Sequence, residues 1–142
     1  MQAYEMNKVE FDYEGVDDAF PAIDPGVQPF GSRVLCQIRR AKPKTKGGII
    51  LSGETRDTET WNTQVAKVIA MGPLAFHNRN TMEPWPEGAW VGVGDFVRAP
   101  KYGGDRWSVR NEDGEEILFV IFNDLDLLGK ITGDPLAMKA FL

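Results

Sequence analysis

Residues 33–39 read Arg-Val-Leu-Cys-Gln-Ile-Arg, and this stretch decides the fold class. Val34, Cys36 and Ile38 recur at every second position, which places their side chains on one face of an extended strand. The sole cysteine of the chain therefore falls on the predicted core face, where a thiol packs as a small apolar group. The pattern predicts a β-strand.

The same kind of pattern continues along the rest of the chain. Further strands are predicted at residues 64–71, 107–110 and 115–122, and residues 90–98 are predicted to form a turn that leads into another strand. The Asp-Gly pair between residues 107–110 and 115–122 is typical of a hairpin tip. A helical signal occurs only near the C-terminus, where Asp134 and Pro135 resemble the N-cap and first residue of a short helix. Short strands joined by turns, without intervening helices, predict an all-β fold, either a small barrel or a sandwich.

Composition and charge exclude several classes of protein. The 142 residues are enough for one domain with its own core. One cysteine excludes an intramolecular disulfide, and one cysteine with one histidine excludes the usual structural zinc site. The longest apolar run, residues 117–122, is too short to cross a membrane. We expect a cytoplasmic protein with no metal, no signal peptide and no membrane partner.

The first 28 residues carry the excess of negative charge over positive charge. This leader (residues 1–28) holds seven Asp and Glu residues against one Lys. It also contains aromatic residues, so it is more than a solvated tail. We predict an acidic N-terminal extension that lies on the folded body, and the alternative is an arm that recognises a basic partner.

Two polar stretches do not fit the wall of a barrel. The first, residues 42–61, is too long for an ordinary connection between strands and carries one aliphatic triplet after a Gly-Gly pair. The second, residues 73–90, contains Phe76 and Trp85 and is predicted to form a long projecting hairpin. Function is expected in these two segments.

Seven short segments, in this order, resemble the GroES-type co-chaperonins, the chaperonin-10 family. They are 29–35 (PFGSRVL), 45–51 (TKGGIIL), 65–72 (VAKVIAMG), 93–97 (VGDFV), 100–104 (PKYGG), 114–118 (GEEIL) and 124–128 (DLDLL). Each segment is weak alone, but together they cover residues 29–130. The resemblance implies an irregular small β-barrel of the GroES type over that range, with a leader before it and a C-terminal extension, residues 131–142, after it.

The resemblance also implies a function without catalysis. Proteins of this family form a ring, expected here to be a heptamer, that closes a GroEL-type chaperonin around a folding client protein. The mobile loop, residues 42–61, would dock on the chaperonin through five residues: Gly47, Gly48, Ile49, Ile50 and Leu51. The roof hairpin, residues 73–90, would present Phe76 and Trp85. No cofactor is implied, because ATP is bound by the partner chaperonin.

Further details follow from the same resemblance. Subunits are expected to join by pairing the segment at residues 29–38 with the segment at residues 124–128 of a neighbour. The two extensions and the long loops resemble co-chaperonins encoded by bacteriophages. Such a protein would act in the host cytoplasm, and a bulky viral capsid protein is one candidate client.

Two other functions remain open at this point. Basic residues between positions 39 and 46, together with four Trp, could suggest an OB-like β-barrel that binds single-stranded nucleic acid. The near-neutral charge of residues 29–142 argues against that alternative. The catalytic domains of zinc alcohol dehydrogenases share a GroES-like barrel, but the chain lacks their zinc ligands and their nucleotide-binding domain. His77 has no discernible catalytic partner and is predicted to lie on the surface.

Overall fold

The computed structural model describes residues 8–9, 11–42, 48, 50, 64–138, 140 and 141. Apart from one four-residue helix, α1 (Val16–Ala19), and a 3-10 turn (Asp124–Asp126), its regular elements are strands. The all-β prediction is confirmed. The strands are β1 (Lys8–Val9), β2 (Arg33–Ile38), β3 (Val65–Met71), β4 (Phe96–Arg98), β5 (Asp105–Arg110), β6 (Glu116–Asn123), β7 (Gly129–Lys130) and β8 (Ala140–Phe141).

Strand β2 lies at the centre of a six-stranded antiparallel sheet. The order of strands is β5-β6-β2-β3-β4-β7, and β1 pairs separately with β8. Because β2 pairs with β3 on one side and with β6 on the other, its backbone has no free edge. The expectation that residues 29–38 pair with a neighbouring subunit is therefore wrong for β2, and only the residues before Arg33 are left for such pairing.

The main core lies on one face of this sheet. Val34, Cys36 and Ile38 are buried there together, as their spacing predicts. Alternate residues of β6 complete this layer, and the hairpin between β5 and β6 turns through the predicted Asp-Gly pair. A turn precedes β4, as the sequence predicts: Gly94 adopts φ 95°, and the N–H of Asp95 donates to the carbonyl of Gly92 at 3.1 Å.

The opposite face of the sheet is covered by the leader. Leu35 is fully buried on this face, in a cluster that Ile23 contacts. The amide of Gln37 donates to the carbonyl of Pro21 at 2.8 Å, and the indole N–H of Trp107 donates to Pro25 at 3.0 Å. β2 is thus buried on both faces, although the alternating pattern alone accounts for one.

Part of the segment at residues 73–90 forms a short hairpin whose base packs on the barrel. His77 and Pro84 form an antiparallel bridge, and the N–H of Trp85 donates to the carbonyl of Phe76 at 3.0 Å. Phe76 is 1% exposed and belongs to the main core, against which Trp85 also packs. The rings of Phe76, Trp85 and Trp90 have centroids 5.0–5.9 Å apart, and their contacts hold the base of the hairpin together.

The C-terminal extension also differs from its prediction. Where the sequence predicts a short helix, the described residues show one turn at residues 135–137 and then strand β8. The turn begins as expected, because the Asp134 carboxylate accepts the N–H of Leu136 at 2.9 Å. The helix does not continue, since β8 pairs with β1 at the other end of the chain.

Candidate functional site

The predicted docking triplet is only partly described by the structure. Ile50 is 79% exposed, so it does not belong to a buried strand of the core. Gly48 adopts φ 91°, a left-handed conformation that favours glycine over every other residue. Gly47, Ile49 and Leu51 lie outside the described residues. The side chain of Ile50 is therefore accessible to a partner.

The two ends of the predicted loop, residues 42–61, lie on neighbouring strands. β2 precedes the loop and β3 follows it, and their last pair joins Ile38 to Ala66. One residue further, the N–H of Arg39 donates to the carbonyl of Val65 at 3.0 Å. The loop therefore starts and ends at one place on the barrel.

A charged cluster lies at the start of this loop. The carboxylate of Asp18, in α1, accepts from the ammonium of Lys42 at 2.7 Å and from the guanidinium of Arg40. Arg40 also forms an ion pair with Glu115. Partial burial raises the pKa of Asp18, but hydrogen bonds from Lys42, Arg40 and the backbone N–H of Glu14 outweigh it and lower that pKa to about 2. The carboxylate is ionised throughout the physiological range.

A buried arginine joins the barrel to the C-terminal extension. Arg39 is 2% exposed, and one nitrogen of its guanidinium donates to the carbonyls of Pro135 and Met138 at 2.9 and 2.7 Å. Its charge also lies 5.5 Å from the centre of the Tyr13 ring, a cation–π contact. In the sequence, Arg39 is only one of several basic residues between positions 39 and 46, so this role was missed.

The predicted roof residues form a buried support beneath an exposed tip. Phe76 and Trp85 pack edge-to-face with centroids 5.4 Å apart. Between them, residues 78–83 are exposed. Asp124 holds this segment to the barrel, because its carboxylate accepts the N–H of Phe76 at 2.9 Å. Asp124 is 4% exposed, whereas the sequence suggested a turn or surface charge.

Exposed apolar side chains gather near the start of β2 and after β6. Phe30 is 78% exposed, and Leu125 and Leu128 are also exposed. Phe30 borders a groove of about 550 Å³ that Val27 and Ile121 also line. This surface is apolar enough to suggest contact with another protein chain.

Two residues with reactive side chains show no arrangement for catalysis. The thiol of Cys36 is fully buried, and burial raises its pKa to about 12, so it is not a nucleophile at neutral pH. A hydrogen bond of 2.8 Å joins Nδ1 of His77 to the carbonyl of Ala75, within the roof segment. In the described part of the chain, no group of three or more potential metal ligands lies together.

Comparison with protein families decides the identity of this barrel. Residues 26–131 match the family described as "Cpn10: Chaperonin 10 Kd subunit". The chain belongs to this family.

Curated relatives of this chaperonin 10 chain support the same family assignment. Co-chaperonin GroES of Syntrophomonas wolfei is 33% identical over 106 residues, which cover 74% of this chain and 97% of the relative. Co-chaperonin GroES of Thermus thermophilus is 37% identical over 102 residues, which cover 72% and 88%. The mitochondrial 10 kDa heat shock protein of Oryzias latipes is 31% identical over 102 residues, covering 72% and 90%. The chain is thus a co-chaperonin, and nucleic-acid binding has no support among these relatives.

This chaperonin 10 chain extends beyond the family match at both ends. Residues 1–25 and 132–142 lie outside it. These are the segments that supply Asp18 to the charged cluster and the carbonyl acceptors to Arg39. Among the described residues, no helix is long and apolar enough to cross a bilayer.

Proposed function

We propose that seven copies of this chain form a ring that closes a GroEL-type chaperonin around a folding client. The observation that carries the proposal is the exposed Ile50, placed on the connection between β2 and β3 in a chaperonin 10 barrel. Gly47, Gly48, Ile49, Ile50 and Leu51 would be the docking residues, and residues 42–61 the docking loop.

Simple energetics support reversible docking. Burying three large aliphatic side chains stabilises a complex by about 1.5–3 kcal/mol each. Ordering about five loop residues costs about 1–2 kcal/mol per residue, which offsets most of that gain. A single loop therefore binds weakly. Seven loops on one ring bind tightly together, because the association cost is met once and each later contact is intramolecular.

The exposed apolar surface is suited to contact between subunits. Phe30, Leu125 and Leu128 are exposed, and the backbone before Arg33 is not paired within the sheet. In a ring, the surface near Phe30 of one copy would meet the segment at residues 124–128 of the next. Burying these side chains would favour the assembled ring over the monomer.

The tip of the roof segment would surround the axis of the ring. Phe76 and Trp85 would anchor this tip to the barrel. Asn78, Arg79 and Met82 are exposed there, so they are the residues available to clients or to neighbouring tips.

The remaining parts of the proposal concern chemistry and origin. The chain would catalyse no reaction and bind no cofactor, and ATP would be bound by the partner chaperonin. It would act in the cytoplasm. The segments outside the family match support an origin in a bacteriophage, in which case the client would be a bulky capsid protein.

One substitution on the docking loop tests the proposal. We expect Ile50→Ser to leave the melting temperature and the light-scattering mass of the free protein unchanged, because an exposed side chain loses no core contact. Binding to a GroEL-type chaperonin with nucleotide should weaken at least tenfold. Val93→Ser is the matched control, since Val93 is also exposed but belongs to the turn before β4.

The same experiment can overturn the proposal. Docking of Ile50→Ser with wild-type affinity would refute the docking assignment. A free protein that stays monomeric at working concentration and never joins the chaperonin would refute the ring.

A further inference from the structure

The two segments outside the family match meet each other on the barrel. Phe20 of the leader packs in a cluster with Val65 and Ile131, which Leu136 and Met138 of the tail also contact. Further out, β1 pairs with β8, so the extensions are joined by backbone hydrogen bonds as well. The leader and the tail therefore form one structural unit.

This unit holds the start of the docking loop. The N–H of Arg40 donates to the carbonyl of Ala19 at 3.1 Å, and the hydroxyl of Tyr13 donates to the carbonyl of Arg40 at 2.6 Å. The ion pairs of Asp18 with Arg40 and Lys42 add two side-chain contacts. The backbone and side chain of Arg40 and the side chain of Lys42 are thus bound to the leader.

The same unit contacts the first residue of β3, the strand that follows the loop. Val65 is 1% exposed and packs against Phe20 of the leader. The neighbouring Arg39, whose N–H pairs with the Val65 carbonyl, donates to two carbonyls of the tail. The leader and the tail thus reach the two strand ends between which the loop is suspended.

We infer that residues 13–20 and 135–138 form a terminal clamp that fixes the chain on both sides of the docking loop, at residues 39–42 and at Val65, and thereby strengthens docking on the chaperonin. This inference rests on the proposed function. The clamp lies outside residues 26–131, the range that matches the family. Its contacts at the loop ends are therefore an addition to the family barrel, and Asp18 is a positioning residue for docking.

The physical reason is the conformational entropy of the loop. A loop whose ends are fixed samples fewer conformations before it binds, so less entropy is lost on docking. Release of residues 40–42 from the leader would let the direction in which the docking loop leaves the barrel vary. In a ring, every subunit would incur this additional cost, and the losses would multiply.

Asp18→Ala tests the clamp, with Asp17→Ala as the matched control. Both residues lie in α1 and both changes remove one negative charge, but Asp17 is exposed and Asp18 binds Arg40 and Lys42. We expect Asp18→Ala to weaken chaperonin binding at least tenfold. Trypsin should also cut at Lys44, Lys46 or Arg56 of the free protein at least threefold faster. Asp17→Ala should stay within twofold of wild type in both measurements, and Asp18→Glu should restore most of the affinity.

The outcomes separate the clamp from the docking function. If Ile50→Ser fails to dock while Asp18→Ala docks like Asp17→Ala, the clamp is refuted and the docking function stands. If Ile50→Ser docks normally, the docking function is refuted, and the clamp with it. Should Asp18→Ala not fold, the double variant Arg40→Met/Lys42→Met removes both ion pairs of Asp18 from the loop side and keeps the apolar stems. Wild-type affinity and cleavage rates for this double variant would likewise refute the clamp.

Discussion

The carboxylate of Asp124 accepts the backbone N–H of Phe76 at 2.9 Å, across 48 positions of the chain. The other oxygen of Asp124 accepts the N–H of Leu125 at 2.8 Å. Phe76 has a positive φ of 63°, a conformation that a bulky residue rarely adopts. The buried carboxylate thus helps to fix the backbone that directs the Phe76 ring into the core.

Asp124→Ala should lower the free energy of unfolding by about 1–3 kcal/mol, because the buried N–H of Phe76 loses its acceptor. Urea denaturation measures this loss. Asp126→Ala is the control: Asp126 is exposed and accepts one longer hydrogen bond, from Asn123 at 3.2 Å, so its loss should be smaller. Equal losses for the two variants would contradict the role given to Asp124.

Gly72→Ala should destabilise the barrel by about 3 kcal/mol or more. A Cβ at Gly72 would lie 2.1 Å from the carbonyl oxygen of Gly31, so one of the two backbones would have to move. Gly133→Ala is the control, because a Cβ there meets nothing within 4 Å, and its effect should stay within about 0.5 kcal/mol. Thermal melting compares the variants, and a melting temperature of Gly72→Ala equal to that of the control would show that the close approach is easily relieved.

Asp18 should make the stability depend on pH in acid. Its folded pKa, about 2, lies below its ordinary value of 3.8, so its stabilisation is fully present above about pH 5. The stabilisation is lost as the pH falls through the folded pKa. We expect the free energy of unfolding of the wild type to be about 1–2 kcal/mol higher than that of Asp18→Asn near neutral pH, after allowance for solvent screening. Denaturation of both proteins between about pH 6 and pH 2.5 should show this difference shrinking, and a constant difference would contradict the assignment.

Arg39 and the tail should be coupled energetically. Removing residues 135–142 deletes both carbonyls that Arg39 contacts, which leaves a buried charge poorly compensated and should cost about 3–5 kcal/mol. In an Arg39→Met background the same deletion should cost less, because no charge is left buried. Denaturation of all four proteins gives the coupling energy. Equal costs in both backgrounds would mean that the tail contributes only its own apolar contacts.

The sequence predicted those elements whose signal is local. The alternation of Val34, Cys36 and Ile38 and the Asp-Gly turn between β5 and β6 were sufficient, because strand faces and tight turns depend on a few adjacent residues. The order of short motifs also indicated the family. Resemblance to the family predicted the positions of the expected docking residues, and Gly48 and Ile50 are the two that the structure describes.

The remaining features depend on contacts between distant segments. Nothing near Leu35 or Gln37 in the sequence indicates that the leader covers them. The short apolar spacing after Pro135 suggested a helix, but pairing of β8 with β1 and hydrogen bonds to Arg39 favour another conformation. Burial of Asp124 and Phe76 likewise depends on how residues 73–90 pack on the barrel, which local propensity does not determine.

The contacts of Phe76, Trp85 and Trp90 bear on how the amide hydrogens of residues 73–90 exchange with solvent. A segment whose rings share the core of β2 and β6 has no independent opening equilibrium, so its amide hydrogens exchange with solvent only when the core itself opens. The base of the roof segment thus belongs to the same cooperative unit as the barrel, while the exposed residues 78–83 do not take part in that core. We accordingly expect local fluctuation in residues 73–90 to be confined to the tip. The base of the segment should keep its position on the barrel as long as the barrel is folded.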